Sequence, residues 1–122
     1  MKKIYISLPI TGHEDTYEER LKELVKVAEG FARYQNVKLD YFGKYDIITP
    51  KDIAYRVEDK IKNPKYTDYL LACLDAIVDC DMVILGDGWL DSKGCRIEVN
   101  FAMNLNMFVI EEELIKRNNW QA

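Results

Sequence analysis

Glu98 is the side chain in this sequence that is hardest to place without chemistry. A helical pattern begins near Ser92 to Gly94 and runs to about Leu105. At about 100° per residue, Arg96, Asn100 and Asn104 form one polar stripe of it. Glu98 falls on roughly the opposite side, among Phe101, Ala102 and Leu105. An acid on an apolar stripe loses its water on burial, which is costly. Such an acid has a partner, a raised pKa or a task. One reading makes Glu98 a complement to the helix dipole. The other turns it into a cleft, with Gly94 one turn earlier letting a ligand approach the backbone. The second is the working expectation.

Other candidates lie just before this helix and near the N-terminus. Asp87 and Trp89 sit in a Gly-rich loop, Gly86-Asp87-Gly88-Trp89. Trp89 either covers or stacks on a ligand, or anchors the loop by packing. Asp81 reads as a loop or cap residue. Ser92 has the position and type of a helix N-cap. Ser7, Pro9 and Gly12 follow the first strand-like run. Cys73, Cys80 and Cys95 form no Cys-x-x-Cys pair, and His13 is the sole histidine. Reduced thiols are expected, with no disulfide framework, no structural metal and no cofactor.

The elements that must position these residues alternate. Ile4 to Leu8 is a β-rich run ended by Pro9, and Thr11 to Glu14 has capping-box spacing. Tyr17, Leu21, Leu24, Val25, Ala28, Phe31 and Ala32 then share one helical stripe, with Glu18 placed to meet Lys22. Residues 36 to 44 read as a loop with extended character, because Val37, Leu39 and Tyr41 alternate with polar neighbours. Tyr45 to Ile48 is a second strand, and a short helix follows around 51 to 60. Tyr66, Tyr69, Leu70, Cys73, Leu74, Ile77 and Val78 make another helical stripe. Met82 to Leu85 and Met107 to Ile110 are continuous apolar runs, as in strands buried on both faces. Glu111 to Arg117 is a terminal helix with acid first and base last.

This order implies an α/β fold: a Rossmann-like or flavodoxin-like three-layer sandwich, with a small parallel sheet and helices on both faces. Residues 1–122 are expected to form a single domain. Ligands in such sheets sit beyond the carboxyl ends of the strands. That rule points to Ser7 to Gly12, to Gly86 to Gly94, and to the start of the Glu98 helix.

Seventeen basic and 21 acidic residues leave a net charge of -4. That balance argues against a nucleic acid polymer as partner but allows one small phosphate ester. The apolar run at the N-terminus is too short for a membrane span and lacks a cleavage site, so a cytoplasmic protein with no membrane partner is expected.

Two blocks resemble the nucleoside 2-deoxyribosyltransferase superfamily. Ile4-Tyr5-Ile6-Ser7-Leu8-Pro9-Ile10-Thr11-Gly12 resembles its first-strand signature, in a branch carrying Pro-Ile-Thr-Gly. Cys80 to Glu98 resembles the second: Cys-Asp, an apolar strand, a Gly-Trp loop, Ser-x-Gly and a helix glutamate. The resemblance implies that Glu98 is a nucleophile on the anomeric carbon of a (deoxy)ribosyl nucleoside or nucleotide. A covalent glycosyl-enzyme forms, the base leaves, and water or a second base attacks. It implies that Tyr5 orients Glu98; on its own, Tyr5 reads equally as a plain strand aromatic. Family transferases acting on nucleosides have aspartate where Ser92 stands, whereas hydrolases of nucleoside 5′-monophosphates have serine. With the N–H groups near Gly94, Ser92 suits a phosphate, which a carboxylate would repel. The resemblance also favours a homodimer or larger assembly.

Three departures qualify it. Cys73 stands where family enzymes have the aspartate that assists the leaving base; Asp87 or Asp91 is a conceivable substitute from the loop. Leu8 stands where glycine is common, and is expected to narrow approach to the ligand. The chain ends soon after the strand at 107–110, so residues lent across a subunit interface are expected to be missing. Three functions therefore compete: a nucleotide N-glycosidase, a non-catalytic nucleotide-binding module, and an interaction domain without a small ligand.

Overall fold

Alternation along the first strand divides the interior in two. In β1 (Lys2–Ser7), Ile4, Tyr5, Ile6 and Ser7 are all fully buried, so both faces of the strand are covered. Ile4 and Ile6 point one way, Tyr5 and Ser7 the other. The computed structural model describes residues 2–10, 12–39 and 43–122. Within them β1 is followed by α1 (Tyr17–Leu39), β2 (Tyr45–Ile48), α2 (Pro50–Lys60), α3 (Tyr66–Val78) and β3 (Met82–Leu85). A 3-10 turn (Trp89–Asp91), α4 (Lys93–Asn104), β4 (Phe108–Glu111) and α5 (Glu112–Arg117) complete the order.

The sheet is parallel, in the order β2-β1-β3-β4. Tyr5 is level with Val83, and Ser7 with Leu85. One face carries Ile4, Ile6, Met82 and Ile84 against α1 and α5, through Leu24, Ala28, Phe31 and Ile115. The other carries Tyr5, Val83 and Leu85 against α3 and α4, through Ile77, Val99 and Ala102. The α/β three-layer sandwich expected from the sequence is the fold observed. The order matches the flavodoxin-like pattern, in which the switch point lies between β1 and β3. No helix among the described residues is long and apolar enough to cross a membrane.

Local chemistry explains the element ends. Thr49 caps α2 in a reciprocal capping box with Asp52, and Pro50 occupies the first turn, where a missing N–H costs nothing. Ser92 caps α4 by accepting from the Cys95 N–H at 3.2 Å. Asp81 accepts the Lys3 N–H at 2.8 Å and so pins the approach to β3.

Several local expectations are corrected. Helix α1 begins at Tyr17, so the spacing at Thr11 to Glu14 does not start it; Thr11 itself lies outside the described residues. Residues 36–39 are helical, not extended, and Asn36 binds both backbone groups of Gly43 at 2.9 Å. Val37 is exposed on this helix, and Tyr41, the last of the alternating residues, lies outside the described residues. Glu18 pairs with Lys51 at 3.0 Å rather than with Lys22. Tyr66 and Val78, at the two ends of the α3 stripe, are exposed. The last strand is Phe108–Glu111, one residue later than expected, so Glu111 closes the strand and α5 starts at Glu112.

Leu8 is also corrected. Its side chain is 4% exposed and sits in the α1-facing core. It does not narrow the ligand side, because residue 8 falls on the face of Ile4 and Ile6. Its neighbour is Gly86: a β-carbon there would stand 2.5 Å from Leu8 Cδ1 and 3.1 Å from Leu24 Cδ2. Gly86→Ala is therefore expected to destabilise the chain by about 1–3 kcal/mol through overpacking. The urea midpoint measures this, and Leu8→Ala in the same chain should recover part of the loss beyond additivity.

Candidate functional site

The carboxylate of Glu98 is held by β1. Tyr5 and Ser7, two residues apart on the same face of the strand, both donate to it. The Tyr5 hydroxyl reaches Oε2 at 2.6 Å, and the Ser7 hydroxyl reaches Oε1 at 2.7 Å. Glu98 is 7% exposed, and both donors are fully buried. The anomalous acid of α4 is thus turned inward at the strand tips, and its partners among the described residues are hydroxyls and a thiol rather than a cation.

This environment sets its protonation. Burial pushes the Glu98 carboxyl above its ordinary value, while Ser7, Tyr5 and Cys73 pull it back through hydrogen bonds. Burial and then the Glu98 charge hold the Tyr5 phenol well above its ordinary value, so Tyr5 stays a donor. The Cys73 thiol lies against both groups and is pushed up to about 11, mainly by burial. It is a neutral thiol at physiological pH. Cys95 sits against the hydroxyls of Ser7 and Ser92; burial raises its thiol, and those hydroxyls and the Arg20 charge oppose the rise. Ser92 is thereby linked to Glu98 through Cys95 and Ser7.

The remaining candidates divide. Trp89 packs against the α4 side of the core and donates from Nε1 to Glu111 at 2.9 Å, which ties the loop to β4. It also lines a cavity of about 210 Å³ with Leu85, Asp87, Gly88 and Glu111. Asp87 turns its carboxylate to Lys116 at 3.4 Å, and its N–H donates to Glu112 at 3.1 Å. Neither Asp87 nor the exposed Asp91 is bonded to Glu98. Pro9 is fully buried at the end of β1. Gly12 adopts a left-handed φ of 84° and lines a second cavity, about 400 Å³, running to Thr16. Gly94 does not present open backbone: the Tyr66 hydroxyl lies 3.3 Å from where a β-carbon would be. Neither cavity has Glu98 among its described lining residues.

Two residues of α1 belong to this end of the sheet and escaped the sequence reading. Tyr17 was read as part of the core stripe. Its hydroxyl is buried with no hydrogen-bond partner among the described residues. Its phenol is raised to about 12, first by burial and then by Glu18, with smaller effects of Cys73, Cys95 and Glu98. Arg20 donates from Nη2 to the Asp87 carbonyl. Its Nη1 is buried and equally without a partner among the described residues. The signal was a tyrosine and an arginine one turn apart at the start of the first helix after β1. The same pattern is common on helices that bind nothing.

Comparison with known proteins agrees with this architecture. A family model described as Domain of unknown function (DUF4406) matches residues 2–111. No curated protein sequence matches the chain. Among solved structures, a 2-desoxiribosyltransferase from Leishmania mexicana is similar in fold, with a TM-score of 0.53 and 22% sequence identity. The match covers 91% of this chain but 63% of that one.

Proposed function

The chain belongs to the DUF4406 family, and from its site geometry we propose that it is an N-glycosidase-like enzyme acting on a (deoxy)nucleoside 5′-monophosphate, with Glu98 as nucleophile. One observation carries this reading: a buried carboxylate at the strand tips, held by two hydroxyl donors and paired with no cation among the described residues. An acid kept for stability alone would gain more from a counter-ion or from exposure to water.

In this reading Glu98 attacks the anomeric carbon. A carboxylate oxygen–carbon bond forms as the glycosidic C–N bond breaks, and the base leaves with the bonding electrons and takes up a proton. Water then opens the glycosyl ester, and Glu98 is regenerated with overall retention. Tyr5 and Ser7 fix the carboxylate and leave lone pairs for attack. Ser92 caps α4 and offers its hydroxyl proton to the phosphate. Ser7, Pro9 and Gly12 border the ligand on the β1 side, and Asp87, Trp89 and Ser92 on the β3 side. A second copy of the chain is part of the proposal, as is a small-molecule nucleotide as the ligand.

The test is release of free base from a panel of nucleoside 5′-monophosphates and their nucleosides, separated by chromatography. Base from monophosphates supports the reading, and none from any member of the panel overturns it. In that assay Ser92→Asp is expected to reverse the preference toward nucleosides by about tenfold or more, since a carboxylate repels the phosphate. An unchanged preference removes Ser92 from the phosphate site.

Cys73 favours a second reading. A thiol with a pKa raised to about 11 is a poor acid for a departing base. A site with the nucleophile but a weak acid suits a nucleotide-binding module without turnover. Thermal stabilisation by monophosphates with no base released identifies that case.

A further inference from the structure

Arg20 stands on the first turn of α1, half-buried, with Nη1 of its guanidinium shielded from solvent. Nη2 donates to the carbonyl of Asp87, which begins the loop after β3. Nη2 also lies 3.8 Å from the position of a β-carbon on Gly88, and Pro9 borders the same position at 3.9 Å. The guanidinium therefore occupies the gap between the ends of β1 and β3. These strands are neighbours in the sheet, and their chains leave toward opposite faces, β1 into α1 and β3 into α4. Open parallel sheets take their ligands at such a point.

The charge there is poorly matched by the protein. Arg20 makes no ion pair among the described residues. Its Nη1 is buried and meets no acceptor among them. The acids close by are engaged elsewhere. The Asp87 carboxylate faces Lys116, as does Glu112 at 3.5 Å, and the Glu98 oxygens accept from Tyr5 and Ser7. A guanidinium has five donors, and removing it from water without an anion is expensive. Its charge is felt at Cys95, which also touches Ser7 and Ser92, so cation, nucleophile and Ser92 share one end of the sheet.

We propose that Arg20 is the anion-reading residue of this site, its Nη1 edge taking a phosphate monoester on the ligand whose anomeric carbon faces Glu98. The proposal deepens the nucleotide reading above and rests on it for the location of the sugar. A guanidinium suits this task because its planar fork bonds two phosphate oxygens together. The arrangement separates the charges: Glu98 at the sugar and Arg20 at the phosphate, with no ion pair among the described residues to quench either.

The experiment is a binding titration of the full chain with a nucleoside 5′-monophosphate, the matching nucleoside, and inorganic phosphate as competitor. Wild type, Arg20→Gln and Arg20→Lys are compared, each checked by its melting curve. Arg20→Gln is expected to weaken the monophosphate by about 10- to 100-fold and leave the nucleoside within about twofold. Inorganic phosphate should compete in wild type and not in Arg20→Gln, and Arg20→Lys should recover part of the loss. Equal weakening of both ligands overturns the proposal, since it assigns Arg20 to holding the Asp87 carbonyl. So does unchanged monophosphate affinity, or a wild type that binds neither monophosphate nor phosphate. Arg20-dependent binding without base release sinks the glycosidase reading alone. Nucleoside turnover indifferent to phosphate and to Arg20 sinks this one alone.

Discussion

Glu98→Gln is expected to lower base release by at least about three orders of magnitude while leaving the melting temperature unchanged or higher. The amide is not a nucleophile at the anomeric carbon. It is close in shape to the acid, and its carbonyl oxygen still accepts one of the two hydroxyls that Tyr5 and Ser7 supply. The substitution also removes a buried charge, which favours folding. The pH dependence separates these effects. Burial holds the folded-state pKa of Glu98 above its unfolded value. The contribution of this group to stability is therefore full below the unfolded pKa and is lost as pH rises through the folded pKa. Glu98→Gln abolishes that loss, so its melting temperature should fall less than wild type's as pH rises through that window. A sharp fall in melting temperature at all pH values would instead make the carboxylate a structural element, and functional sites commonly trade stability in the direction expected here.

What the sequence disclosed follows from how each feature is encoded. Glu98 was legible because a helix has a period, and a charge in the wrong phase of it stands out. The strands were legible because β3 is buried on both faces and reads as four consecutive apolar residues. Ser92 was legible as a cap because a serine immediately before a helix has a local purpose. Tyr17 and Arg20 were not. Tyr17 fits the apolar stripe of α1, and Arg20 stands among Glu18, Glu19 and Lys22 on what looks like a solvated face. Only the approach of the Asp87-Gly88 loop, far along the chain, turns the guanidinium inward. Leu8 was misplaced for a different reason. Its strand phase assigns it to the α1 side, but the glycine common at that position in the resembled family pointed to the ligand side. Gly94 looked like room for a ligand, whereas the Tyr66 hydroxyl of another helix stands over it.

The loop after β3 gathers these constraints. Gly86 hydrogen-bonds to the Ser7 carbonyl at 2.8 Å, Asp87 is bonded by both Arg20 and Lys116, and Gly88 takes a left-handed φ of 86°. Trp89 ties the segment to Glu111. The loop is thus tied, through its backbone or its side chains, to β1, α1, α5 and β4 before α4 begins. Glu98 reaches Tyr5 and Ser7 because α4 starts from a fixed point.

Removing the donors from Glu98 should move its titration in a direction fixed by their role. Tyr5 and Ser7 bond the ionised carboxylate, so each lowers the cost of its charge, and hydrogen bonds to charged groups are worth about 1.5–3 kcal/mol. Tyr5→Phe and Ser7→Ala should each raise the Glu98 pKa further, since each removes a hydrogen bond that holds it down. The acid limb of kcat/KM, which reports the ionised nucleophile in the free enzyme, then moves to higher pH in each variant and furthest in the double variant. Activity at neutral pH falls accordingly and recovers when the pH is raised. Loss of activity at every pH with an unmoved acid limb would show that the hydroxyls position substrate and leave the acid's charge alone. A limb that moves to lower pH would mean that the hydroxyls serve the protonated acid, and Glu98 would then act as a proton donor and not as a nucleophile.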